Sequence, residues 1–344
     1  MTVALPGFGR SSEPGPDPVD DAPRDIRGSA ERADLAFRLV ARGSGATVLV
    51  IMLLVGVFLT YRAWQALSVA GFSFLTTAAW EPDAHHFGIA AVLTGTVLIG
   101  LTAIAFAVPL AVGTALYISE YAPRRVRRTL VSLVDLMAAV PSVVYGLWGA
   151  FFLQSHVVGL SRWLATYFGW IPIFKVTGTD PDDPLATATV FTSSTFIAGM
   201  VVALMVTPIA CSVMREAFSQ APVGEREGAY ALGATKWGMV RTVVLPFGLG
   251  GIIGGTMLGL GRALGETIAV YMIISPVFAI QPHILQNGAN SVSALIALRY
   301  GSATEFGMSA LMAAGLALFL MTLVVNFIAS SIVARSRSGA GVEA

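Results

Sequence analysis

The sequence predicts an all-α membrane protein with six transmembrane helices. Composition is the first observation: 55% of residues are hydrophobic and 12% charged, and the mean hydropathy is +0.75. A soluble protein of this length carries about 25% charged residues. The second is the length of the apolar runs, several of which reach the roughly 20 residues that cross a bilayer as a helix. The third is that none shows the short alternating segments of a transmembrane barrel. Helices then satisfy the backbone inside lipid, and the buried core is helix against helix.

Residues 1–45 are rich in Pro, Gly, Asp and Arg, a composition that predicts a cytoplasmic and largely disordered tail. The first span covers about 46–66. It lies too far from the N-terminus for a signal peptide and no clear cleavage site follows, so it stays as an anchor. Residues 67–87 read as an external segment near the interface. Its adjacent His85 and His86 point to different faces and read as loop residues rather than as a metal site.

The second span runs from about Phe87 to Tyr121. It is too long for one perpendicular crossing, so it tilts, kinks near Pro109 or extends into the cytoplasm. The arginine-rich APRRVRR at 122–128 ends it. The third span is placed at about 129–152, broken by Pro141. Asp135 near its start pairs with Arg127 or Arg128, and Glu120 sits beside the same arginines. Residues 153–192 form the longest external connection, where Trp163, Tyr167, Phe168 and Trp170 suit an interfacial helix. TGTDPDDP then reads as a turn-rich loop. The fourth span is about 194–214, with Pro208 inside it. A polar loop follows at 215–246, then a fifth span at about 248–276, an external loop with a short helix, and a sixth span at about 307–333. Residues 335–344 are a short tail.

An even number of spans puts both termini on one side. The two tails and the 122–128 and 215–246 loops hold 16 of the 21 Lys and Arg residues. The positive-inside rule makes that side cytoplasmic. The net charge of +1 says nothing further about partners. The single cysteine, Cys211, allows no disulfide within the chain and reads as a small apolar packing residue.

The polar loop carries a spaced pattern: Glu227-Gly228-Ala229, three residues, Gly233, nine residues, then Val243-Val244-Leu245-Pro246. Residues 225–232 suit a short helix with Arg226 and Glu227 exposed, and Gly233 suits a left-handed end to it. Trp237 and Met239 offer apolar contact on a second short helix, and Pro246 resets the chain for membrane entry. The pattern resembles the EAA motif of bacterial ABC-importer permeases, with Gly228 at an Ala position and Val243 at an Ile position. The resemblance implies that Glu227, Gly228, Ala229, Gly233, Leu245 and Pro246 form a coupling segment seated in a groove of a cytoplasmic ATPase. The competing reading is an amphipathic loop lying on the bilayer.

A narrower resemblance covers roughly 70–334. AAVPSVVYGLWG (138–149), LGLGRALGETIAV (258–270) and the closing LALFLMTLVVNFIASSIV are similar to the phosphate-specific Pst permeases, most of all to the PstC-type subunit. This implies a MetI-like fold with residues 46–87 as first helix and external segment and 88–334 as permease core. It implies a second PstA-like permease, two PstB-like ATPase subunits, a PstS-like phosphate-binding protein and inorganic phosphate as cargo. No partner nucleic acid is expected, and lipid surrounds the chain. The chain has no P-loop, so ATP and Mg belong to the partner subunits and this chain is not an enzyme. The glycine pairs at 250–251 and 254–255 read as small residues for close helix packing.

Arg262 and Glu266 are four residues apart in an apolar run, on one face of a continuous helix. An unpaired charge there costs about 3 kcal/mol on insertion scales. The pair is either a neutralised lock between helices or part of the substrate path. In the second reading, which the Pst resemblance favours, the planar guanidinium of Arg262 attracts phosphate. Glu266 holds it in place and moderates its grip. Thr267 is a candidate hydroxyl donor, and Ser142 and Tyr145 either line the path or pack. Two other functions stay open: a permease for another oxyanion such as sulfate or molybdate, and an ion-driven secondary transporter. The inverted repeats that would favour the latter are not visible.

Overall fold

The computed structural model describes residues 32–178, 180, 183 and 188–337. The expected tails at 1–31 and 338–344, and part of TGTDPDDP, lie outside the described residues. The chain divides into two units, one up to Leu53 and one from Leu54 onward.

Helix α1 spans Arg32–Ala70. Residues 32–45, expected in the disordered tail, are therefore helical. Strong helix formers and an Asp34–Arg38 pair at 3.0 Å, one turn apart, support that start. A short α2 (Ser73–Thr76) leads into a hairpin of β1 (Trp80–Glu81) and β2 (His86–Phe87), with Trp80 opposite Phe87. Phe74, Trp80 and Phe87 meet edge to face and are buried with Leu311. His85 adopts a left-handed conformation at the hairpin tip, and its ring meets Phe306 at 4.7 Å. Among the described residues no His, Cys, Asp and Glu cluster could hold a metal.

Helix α3 (Ala90–Leu116) continues through a π turn, Tyr117–Tyr121, so the second span extends beyond bilayer length as one helix with Pro109 inside it. α4 (Arg124–Ala139) is separate from the third span. The third span is α5 (Ser142–Trp148), a π turn at Gly149–Leu153 and α6 (Gln154–Phe168). This corrects the placement at 129–152. Pro141 has no N–H and forces Val140 out of the helical region, at ψ 128°, so the helix cannot cross that point. The interfacial helix expected around Trp163 and Tyr167 is instead the end of this span.

α7 (Thr195–Ser219) is the fourth span. α8 (Val223–Ala231) and α9 (Lys236–Met239) follow, then a π turn at Val240–Val244 and α10 (Leu245–Phe247). The chain bends by 64° into α11 (Leu249–Leu264), and α12 (Ile268–Ile273) follows a break at Gly265–Thr267. α13 (Val292–Arg299) and α14 (Glu305–Arg337) complete the fold. Among the described residues five helices are long and apolar enough to cross a membrane, and the bent pair makes up to six.

α3, α7 and α11 form the centre. Gly199 of α7 lies against Thr102 of α3. Gly251, Gly255 and Gly259, one turn apart, face Ala217, Ala210 and Val206 of α7. A Cβ at Gly251 would stand 2.1 Å from that of Ala217, so this face works only without side chains. Gly251 and Gly255 of the expected pairs make this contact, whereas a Cβ at Gly254 would meet nothing within 4 Å. Cys211 is buried in the same seam.

Candidate functional site

The turn between α8 and α9 folds as its sequence pattern predicts. The N–H of Ala234 donates to the Ala229 carbonyl at 3.0 Å and that of Gly233 to Tyr230 at 2.9 Å, while Gly233 sits at φ +84°. This is a Schellman end, which needs a residue without a Cβ at the left-handed position. Thr235 starts α9 by accepting from the Gly238 N–H at 3.1 Å. Glu227 and Gly228 are exposed, Ala229 is half-buried, and Leu232 at the turn is 90% exposed. An apolar side chain left in that position marks a contact surface when its neighbours Tyr230 and Trp237 are exposed as well.

Behind this surface the segment is anchored. Met239, Val240 and Val244 are buried against Ala115, Leu116, Met214 and Phe218 at the ends of α3 and α7. Leu245 packs at the margin of that cluster, and Pro246 is exposed at the first turn of α10. Two expectations fail here. Met239 is core, so of the two apolar residues expected to make contact on α9 only Trp237 is exposed. Arg226 is not exposed: its Nη1 lies 3.1 Å from Oε1 and 3.2 Å from Oε2 of Glu120, and its Nη2 donates to the Phe218 carbonyl at 2.7 Å. Glu120 therefore pairs with Arg226, not with the arginines of 124–128. Asp135 lies exposed on α4 and forms no ion pair with Arg127 or Arg128 among the described residues.

The charged pair of the fifth span is arranged differently from its sequence expectation. Arg262 lies in the last turn of α11, where the carbonyl end of the helix favours a cation. The helix ends at Leu264, so Arg262 and Glu266 do not share a continuous face and form no ion pair among the described residues. Gly265 supplies the stop. Glu266 instead accepts at Oε1 from the Ala269 N–H at 3.3 Å, starting α12, and its carbonyl accepts from Ser293 Oγ at 2.7 Å. Thr267 donates to the Gly265 carbonyl at 3.2 Å.

Arg262 lines a cavity of about 410 Å³ with Ile209, Met257, Gly261, Thr322 and Asn326. Asn326, on α14, was missed at the sequence level; an amide in an apolar closing helix was the available signal. Ser142 begins α5 just after Pro141, and Tyr145 donates to the Met137 carbonyl at 3.0 Å. α5 packs on α12, with Gly146 against Ala269 and Gly149 against Ile273. The two helices thus run in the same direction, and Ser142 and Glu266–Thr267 lie at corresponding ends. Arg262 belongs to the cavity between α7, α11 and α14.

The helical spans, the exposed helix–turn–helix and the arginine set at the end of an apolar helix define a membrane transport component. The chain belongs to the family of binding-protein-dependent transport system inner membrane components, which it matches over residues 107–338. It is 38% identical over 310 residues to phosphate transport system permease protein PstC 2 of Mycobacterium tuberculosis, covering 88% of this chain and 92% of that one. It is 37% identical over 307 residues to phosphate transport system permease protein PstC of Xylella fastidiosa, covering 89% and 91%. A crystal structure of a bacterial ABC transporter involved in the import of the acidic polysaccharide alginate matches with TM-score 0.53 at 17% identity, covering 87% of this chain and 99% of that one. That likeness is one of fold, the MetI-like permease fold.

Proposed function

We propose that this chain is the membrane-spanning permease subunit of an ATP-driven ABC importer for inorganic phosphate. The observation that carries the proposal is the end-to-end similarity to permeases named for phosphate transport, at 38% identity over 88% of the chain. A second PstA-like permease completes the pore, two PstB-like ATPases bind ATP and Mg on the cytoplasmic side, and a PstS-like protein delivers phosphate from outside. Both termini are cytoplasmic.

In this reading α8, the Gly233 turn and α9 sit in the ATPase groove. Nucleotide-driven closure of the ATPases moves them, and the anchored spans reorient to open the path outward. Arg262 presents its guanidinium to phosphate, whose oxygens suit two parallel donors. The cavity it lines with Thr322 and Asn326 supports that role. Glu266 no longer serves as its direct partner; it sets the start of α12 beside the path, with Thr267, Ser142 and Tyr145 nearby as polar groups.

Uptake of labelled phosphate by the reconstituted importer tests this. Excess sulfate or molybdate should leave it unaffected. Arg262→Gln should abolish it while the complex assembles and still hydrolyses ATP. Competition by sulfate, or full uptake in Arg262→Gln, would refute the cargo or the role of the arginine respectively.

A further inference from the structure

The coupling segment is fastened to the membrane helices by an ionic joint that the EAA pattern does not contain. Its members are Arg226 of α8 and Glu120 of the π turn that ends the second span, with side chains 21% and 5% exposed. The guanidinium meets both carboxylate oxygens, at 3.1 and 3.2 Å, and also takes the Phe218 carbonyl in the last turn of α7. That carbonyl, at the end of α7, also accepts the Ala221 N–H at 3.3 Å. A second cation of the segment grips the same π turn: Lys236 Nζ lies 4.7 Å from the centre of the Tyr121 ring. One turn of the second span therefore receives both cationic contacts.

The joint is poorly suited to being only a staple. Burying two charges is costly, and apolar side chains of similar volume hold a static contact as well or better. Among the described residues the buried Arg226 Nε–H and Glu120 Oε1 have no hydrogen-bond partner, so the pair is not saturated. A directional charge-assisted contact does something apolar packing does not: it resists sliding, so it transmits a pull as well as a push. Met239, Val240 and Val244 supply non-directional packing at the same place. π turns, with their one-residue register shift, recur where helices serve function.

We infer that the Arg226–Glu120 pair is the link that carries movement of α8 to the second and fourth spans, with Arg226 and Glu120 as positioning residues for transport. This rests on the reading of α8 as the ATPase handle. The test uses the complete importer in proteoliposomes and reads phosphate taken up per ATP hydrolysed. With the ATPases still bound, Arg226→Ala and Glu120→Gln should lower that ratio roughly tenfold, within the range of coupling-residue effects. Arg226→Lys, which keeps the charge, should recover part of it. A wild-type ratio in both variants, with hydrolysis and uptake falling together or not at all, would overturn the link. Should Arg226→Ala fail to assemble, the near-isosteric Glu120→Gln decides by the same criterion. The handle itself fails separately, if Tyr230→Ala and Leu232→Ser leave ATPase co-purification unchanged.

Discussion

At the scale of single residues, Glu266 separates two roles that a charged side chain in a membrane span combines. Its Oε1 accepts the Ala269 N–H and so substitutes for the missing preceding turn of α12. A glutamine keeps an acceptor at that position and an alanine does not. Glu266→Ala should therefore destabilise the detergent-solubilised complex by about 1 kcal/mol, the usual size of a lost cap, and Glu266→Gln should not. Thermal unfolding of the two variants side by side measures this. Equal loss in both would mean that the charge, not the acceptor, sets the structure there. The sequence made both residues legible as charges in an apolar run, but neither their relation nor their exposure: the helix stops at Gly265, and Arg262 is exposed while Glu266 is half-buried. A glycine in an apolar helical run signals a stop only weakly: Gly251, Gly255 and Gly259 lie inside the same helix.

At the scale of elements, close packing of α11 on α7 depends on which glycines face the seam. Gly251 faces Ala217, whereas a Cβ at Gly254 would meet nothing within 4 Å. Gly251→Val should therefore force the helices apart and cost about 1–3 kcal/mol, as overpacking does in well-packed cores. Gly254→Ala should be neutral. The yield and melting temperature of the purified complex distinguish them, and equal behaviour would refute the seam. Hydropathy made the spans legible because lipid imposes a length on every helix. It misplaced the third because α4 is amphipathic and its apolar side chains run into the span in sequence. Pro141 breaks the apolar run, and that break is the span's beginning. The Schellman end at Gly233 was fully legible, because a turn of that kind is encoded within a few residues. The Glu120–Arg226 joint was not, since its members are 106 positions apart and nothing local in either signals the other.

At the scale of the whole molecule, the distribution of basic residues and a count of six spans together predict that α8 and α9 lie on the opposite side of the membrane from α13 and the start of α14. The chain's single native cysteine is buried, so it gives little background in a labelling experiment. Leu232, at the tip of the handle, and Tyr300, just after α13, are 90% and 58% exposed. In sealed cells a membrane-impermeant maleimide should label Tyr300→Cys and spare Leu232→Cys. In inside-out vesicles the pattern should invert. Docked ATPase subunits should further protect Leu232→Cys in the vesicles, and stripping them should restore its labelling. Labelling of both positions from one side would mean that the bent segment from Lys236 to Leu264 enters and leaves on the same face. The spans would then number five and the termini would lie on opposite sides; labelling of both from outside would also put Leu232 out of reach of a cytoplasmic ATPase.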